Sequence, residues 1–180
     1  MRNKERHLLY PRLSRFKPSE DIRAQGLTRN QAYKLEDFEN LEDWFFYTHI
    51  DPAQRIIHAI GMILGIIFFI QCVFALFNQQ WLGLFAFYLI GVFFYYVSGI
   101  ISHQFYDAGT GRSHPKYLLP TFLPVIKINT ATLNGSYDRR LREFVAKYPF
   151  VHEAYDLIEV PYSQRFHFLT SGSIRTTTPK

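Results

Sequence analysis

The chain has 180 residues, the length of one domain, with 20 Lys and Arg against 15 Asp and Glu and a formal net charge of +5. Its single cysteine excludes a disulfide framework and a thiolate metal cage. Its basic residues are scattered and form no nucleic-acid motif, so the positive balance points to an anionic membrane surface, not to nucleic acid.

Residues 1–30 read as an irregular basic arm, broken by Pro11 and Pro18 and lacking a signal-peptide apolar core. Tyr33, Phe38, Leu41 and Phe45 then recur at three- to four-residue intervals with acids between them. That spacing predicts an amphipathic helix over Leu35 to Trp44, on a membrane surface or against the rest of the fold. Asp51-Pro52 is a helix-start signal, because Asp accepts hydrogen bonds from free backbone N–H groups and Pro is tolerated at the first helical position.

From Ile57 to Tyr106 there is no Asp, Glu, Lys or Arg, and ten of the basic residues lie on each side of this run. Two apolar stretches fill it, predicting spanning helices near 53–77 and 81–106. Each stretch is long enough to cross about 30 Å of hydrocarbon at about 1.5 Å per residue. The connector Asn78-Gln79-Gln80 is short and uncharged, which allows only an antiparallel pair. A soluble domain of this size has too little other mass to cover two helices that are apolar on every side. Gly61 and Gly65 form a GxxxG step that permits close helix approach, and homo-oligomerisation stays open. Lys and Arg favour the cytoplasmic face. The expectation is therefore a multi-pass membrane protein with both termini cytoplasmic, in the endoplasmic reticulum of a eukaryote or the inner membrane of a bacterium.

Beyond Gly109-Thr110-Gly111, the stretch Tyr117–Ile128 is apolar but carries Pro120 and Pro124. It is too short to span and too interrupted for a regular helix, so a short re-entrant or interfacial segment is expected. Asp138–Lys147 sets Leu141, Phe144 and Val145 among Arg139, Arg140, Arg142 and Lys147, the pattern of a basic interfacial helix. Residues 151–180 read as a polar tail. The expected fold is all-α: a membrane helical hairpin within a domain over 31–150, with amphipathic flanking helices.

Seven histidines are present. Measured from the connector, His58 lies about 21 residues before and His103 about 24 after, an axial mismatch of about 4–5 Å that side chains absorb. Both imidazoles should therefore sit at one end of the pair. Pro52 keeps His49 off that helix and places it in chain that folds over the helix start. Asp107 lies one turn beyond His103 and points the same way. His114, past the glycine turn, is within reach. Three imidazoles and a carboxylate suit a divalent transition metal, with iron or a catalytic zinc favoured over a structural site. If the reading holds, the ring nitrogens of His49, His58 and His103 converge within about 4–5 Å of one another. Arg55, one turn before His58, is a candidate for pairing with a lipid carboxylate or a lipid phosphate.

The segment Phe46-Tyr47-Thr48-His49-Ile50-Asp51-Pro52-Ala53-Gln54-Arg55-Ile56-Ile57-His58-Ala59-Ile60-Gly61 resembles the first signature of a family of membrane 2-hydroxy fatty-acid dioxygenases. That signature has an aromatic lead, a His, a Pro three residues on, an amide at the fifth position and an aliphatic-His-x-x-Gly ending. Ser98-Gly99-Ile100-Ile101-Ser102-His103-Gln104-Phe105-Tyr106-Asp107 resembles the second signature, a His followed four residues later by an acid. The resemblance covers roughly residues 44–125. Gln54 stands where the family usually has Asn, and Asp107 where it usually has Glu. The resemblance implies Fe2+-dependent α-oxidation, in which a long-chain 2-hydroxy fatty acid and O2 give a fatty acid one carbon shorter. His49, His58 and His103 would be ligands. Asp107 would be a fourth ligand or an acceptor fixing a ring tautomer, and Arg55 and Gln54 would face the substrate. Two rival readings use the same residues: a non-catalytic membrane anchor or scaffold, and a zinc-dependent lipid hydrolase.

Overall fold

The Asp51 carboxylate accepts a hydrogen bond from the Ala53 N–H at 2.8 Å and caps a helix that opens with Pro52 and runs without interruption to Phe77. Burial pushes the Asp51 carboxyl above its ordinary pKa, and the Ala53 N–H and Arg29 pull it back down. The structure, a computed structural model, describes residues 6–9, 19–109 and 115–161. It is mostly helical. In chain order it contains strand β1 (Arg6–Leu9), helix α1 (Glu20–Ala32), a 3-10 turn at Leu35–Asp37, α2 (Leu41–Tyr47) and the capped helix α3 (Pro52–Phe77). There follow α4 (Trp81–Val92), a π-helical turn at Phe93–Val97, and α5 (Ser98–Tyr106). The chain continues with α6 (Pro115–Leu118), α7 (Phe122–Leu133), α8 (Tyr137–Lys147), α9 (Phe150–Ala154) and strand β2 (Ile158–Pro161).

Helix α3 and the continuous rod formed by α4, the π turn and α5 are each 26 residues, long and apolar enough to cross a membrane. Their contacts run in opposite order. Ala75 approaches Gly83, Phe69 approaches Gly91, Gly65 meets Gly91 and Tyr95, Gly61 meets Ser98, and His58 meets Gly99. The GxxxG step thus serves close approach within the chain. Only 22% and 17% of the most apolar windows of the two rods are buried, against the mostly buried core helix of a soluble protein. Ile63, Ile67, Ile70 and Phe74 stand exposed on α3, and Leu82, Phe85 and Leu89 on α4.

At one end of the rods sits a second body of structure with its own core. Phe38, Phe46, Tyr47, Leu141, Phe144, Val151 and Val160 meet there in a cluster that is largely aromatic. The Phe46 ring stacks on Tyr137 with centroids 5.0 Å apart, and Phe38 lies edge-on to Tyr148 at 5.1 Å. Strands β1 and β2 pair antiparallel, Leu8 opposite Glu159, and add a two-stranded ribbon to an otherwise helical fold.

Several boundaries differ from the sequence expectation. The arm expected over 1–30 contains α1 from Glu20 onward. Ser19 caps it by accepting from the Ile22 N–H at 3.3 Å, and acids occupy the first turn. The single helix expected over Leu35 to Trp44 is split, because Asn40 takes up extended backbone and caps α2 through the Asp43 N–H at 2.9 Å. Tyr117–Ile128, expected to be too interrupted for a helix, enters α7. Pro124 falls in its first turn, where the missing N–H has no intrahelical partner to lose. Helix α8 forms as expected, but its apolar stripe of Tyr137, Leu141 and Phe144 is buried in the core, not offered to lipid. The tail expected from 151 begins with ordered structure, because Val151, Tyr155, Leu157 and Val160 are buried.

Candidate metal centre

His49 lies in the four-residue linker between α2 and α3, His58 on the second turn of α3, and His103 near the end of α5. The antiparallel order of the rods brings the last two to one level, and the linker lays the first across them. All three are buried, and one ligand atom from each lies within 4.8 Å of the other two. The ring centroids are 4.6 Å apart for His49–His58, 4.9 Å for His49–His103 and 5.4 Å for His58–His103, with interplanar angles of 79°, 88° and 77°. Three near-perpendicular rings around one point can direct three lone pairs at a shared ion. Contacts of about 2.0–2.1 Å would need only a small inward movement of the rings.

Each imidazole is held differently. His49 Nδ1 lies 2.7 Å from the Phe45 carbonyl oxygen, which only accepts, so the proton belongs on Nδ1 and the lone pair on Nε2. The Phe45 ring stacks on His49 at 4.0 Å, and the Thr48 hydroxyl sits 2.8 Å from the same Nδ1. His58 is placed by Gly99, where a Cβ would lie 2.7 Å from His58 Cε1, so only glycine lets the ring rest against α5. His58 Nε2 is buried with no hydrogen-bond partner among the described residues. An orphaned buried imidazole nitrogen costs about 1–3 kcal/mol, and a metal ion in the cluster would remove that cost. His103 Nδ1 lies 2.9 Å from Asp107 Oδ2. The carboxylate can only accept there, which again places the lone pair on Nε2. The chemistry of the donor set therefore fits a divalent transition metal, and the metal's identity is not specified by it.

The remaining sequence candidates divide. Asp107 stands behind His103 as its acceptor, the second of the two roles expected for it. Gln54 Nε2 is 2.7 Å from His103 Nδ1 and 3.3 Å from Asp107 Oδ2. Two N–H groups cannot face each other across 2.7 Å, so with the proton on Nδ1 the Gln54 amide presents its oxygen to the ring as a second acceptor. Gln54 is thus a buried support of the His103–Asp107 pair. Arg55 is 7% exposed, with its guanidinium 3.2 Å from the centre of the Tyr137 ring, and its Nε and Nη1 are buried with no hydrogen-bond partner among the described residues. His114 lies outside the described residues.

The sequence reading missed Tyr137. Its hydroxyl donates to the His49 carbonyl at 3.2 Å, tying α8 to the linker that carries the first imidazole. Burial pushes this phenol up to about 12, opposed by Arg55, so it stays a donor at neutral pH. A basic helix so far along the chain offers no signal for that contact. Tyr95 and Tyr96 lie on the π turn, which the sequence reading did not foresee. They line a cavity of about 60 Å³ together with His58, His103, Phe45 and Val125. No protein-family model, curated protein or solved structure matches the chain.

Proposed function

We propose that this protein is a membrane-embedded non-haem metal oxygenase acting on a long-chain lipid, with a 2-hydroxy fatty acid shortened by one carbon as the reaction. The observation that carries this reading is the convergence of three buried imidazoles at the end of two apolar rods, beside an apolar cavity. The two motifs that resemble the 2-hydroxy fatty-acid dioxygenases contribute all three rings and Asp107.

In this reading α3 and the α4–α5 rod form a hairpin across the bilayer, with Asn78-Gln79-Gln80 on the far side and both termini in the cytoplasm. The aromatic core and the basic surface of α8 lie at the near headgroups, and α6 and α7 rest beside the rods as the re-entrant element. A long-chain substrate then reaches the centre from the lipid, with its tail among the apolar side chains and its polar end at the boundary.

Fe2+ bound by His49, His58 and His103 would supply activation of O2. The protein's own groups do the rest. Asp107 holds His103 in one tautomer, and Phe45 does the same for His49. Trp44, Phe45 and Val125 line the cavity side of the rings with apolar groups.

One observation favours a second reading. With Asp107 behind a ring and not in the cluster, the donor set is three imidazoles, a set that catalytic zinc also uses. A zinc-dependent lipid hydrolase would hold stoichiometric zinc and turn over without O2.

Elemental analysis of detergent-purified protein, wild type beside His103→Ala, decides between these. Stoichiometric iron that is lost in the variant, together with O2-dependent consumption of a 2-hydroxy fatty acid, is the expected result. Zinc with O2-independent lipid hydrolysis would establish the hydrolase. Metal-free wild-type protein would leave the membrane anchor or scaffold.

A further inference from the structure

A recess on the outer side of α7 is built from three elements and carries charges of both signs. Glu42 and Asp43 come from α2, Lys127 from α7, and Arg140, Glu143 and Lys147 from α8, over a floor made by Phe46 and Phe144. It measures about 390 Å³, within the ~300–1,000 Å³ of small-molecule sites. Each residue turns about 100° around a helix, so Lys127 lies on the opposite side of α7 from Val125, which lines the cavity beside the imidazoles. The recess and that cavity share no lining residue.

Its cations and acids balance, and not all of them are paired. Lys127 donates to Glu42 at 2.6 Å, tying α7 to α2, and Lys147 donates to Asp43 at 2.7 Å. The Arg140 side chain makes no ion pair or hydrogen bond among the described residues. Glu143 has only the exposed Arg139, at 4.0 Å. Arg140 and Glu143 lie three residues apart on one face of α8, an uncommitted cation beside an uncommitted acid. A simple anion would meet as many acids as bases there, whereas a group carrying both signs finds a partner for each. A phosphate joined by two carbons to a primary ammonium is such a group. The guanidinium fork suits the phosphate oxygens, and the ammonium N–H groups donate to the carboxylate, which a choline headgroup without N–H cannot do. Next to these charges the surface turns apolar. Leu123 lies one helical turn before Lys127 on the same side of α7 and is 63% exposed, and Leu119, in the turn before α7, is 83% exposed.

We infer that this recess binds the headgroup of one phospholipid of the surrounding membrane, of the phosphatidylethanolamine class. Arg140 holds the phosphate, Glu143 the ammonium, and an acyl chain lies along Leu123. The inference rests on the membrane reading of the two rods and not on the metal or its reaction. The lipid is a bound partner that joins α2, α7 and α8, not the substrate, because the recess opens on the side of α7 away from the imidazoles.

Full-length protein purified in detergent is incubated with equal amounts of phosphatidylethanolamine, phosphatidylcholine and phosphatidylglycerol carrying the same acyl chains. Native mass spectrometry then counts the lipids it retains. One phosphatidylethanolamine, held several-fold more strongly than the other two, is expected. Arg140→Gln should lose it. Glu143→Gln should keep a phospholipid and lose the preference for the ammonium headgroup over choline. Either variant suffices if the other fails to fold, as judged by its melting transition. Equal retention of the three lipids, a preference for phosphatidylglycerol, or retention unchanged in a folded Arg140→Gln protein overturns the inference. So does soluble phosphoethanolamine that binds as tightly as the lipid, because the recess would then belong to a free small molecule. Carbonate extraction of native membranes tests the reading beneath. Protein released by carbonate would remove the membrane reading and the lipid site together. Protein retained in the membrane but showing no headgroup preference would remove the lipid site alone.

Discussion

His103 Nδ1 and Asp107 Oδ2 are 2.9 Å apart across one turn at the end of α5, and both residues are buried. The carboxylate acts on the cluster through the imidazole it orients. Asp107→Asn keeps the shape and removes the charged acceptor. It should weaken metal binding about 10–100-fold, the usual cost of losing an outer partner of a ligating His. Chelator competition against wild-type protein measures this. An unchanged affinity would show that Asp107 does not orient the ring.

Gly99→Ala separates folding from binding. Alanine is the better helix former by about 1 kcal/mol, so the variant should stay helical by circular dichroism. Its methyl group would lie against the His58 ring and drive it out of the cluster. Metal content should fall by an order of magnitude or more while the melting temperature changes little. Full metal retention would mean that His58 is not a ligand.

Tyr137 carries two interactions that substitution can divide. Tyr137→Phe removes the hydrogen bond to the His49 carbonyl and keeps the ring over Arg55. A loss of about 1–2 kcal/mol is expected, the cost of an unsatisfied buried carbonyl. Tyr137→Leu also removes the cation–π contact with a buried guanidinium, for a further loss of about 1–2 kcal/mol. Denaturant unfolding in mild detergent measures both, and metal affinity should drop in both because the His49 linker loosens.

The membrane arrangement is tested by labelling. In a Cys72→Ala background, Asn78→Cys sits in the connector and Asn134→Cys in the turn between α7 and α8. A membrane-impermeant maleimide should label the first from outside the cell or from the lumen, and the second only after permeabilisation. Labelling of both from one side in intact membranes would rule out the hairpin.

The long helices were legible because their signals are local and strong. Asp51-Pro52 marks a start, Asn78-Gln79-Gln80 a break, and fifty residues without Asp, Glu, Lys or Arg leave no competing period. The helix start at Pro52 and the end at Tyr106 were both expected. Weaker signals misled. Asn40 divides a periodic stretch because its side chain competes for backbone hydrogen bonds. The prolines after Tyr117 were read as breakers, although the place of Pro124 in the first turn of α7 makes it harmless. The basic face of α8 suggested lipid, because sequence shows a stripe and not what covers it.

The grouping of His49, His58 and His103 followed from arithmetic along two antiparallel rods, a one-dimensional argument that local sequence could support. The order of residues thus specifies that the imidazoles share a level, because helix rise and a short connector leave little choice. It does not specify which way each ring turns. That depends on contacts between segments far apart in the chain: Gly99 against His58, Tyr137 reaching the His49 carbonyl, and Gln54 beside Asp107. Side-chain direction is a property of packing, and packing exists only once these segments have met.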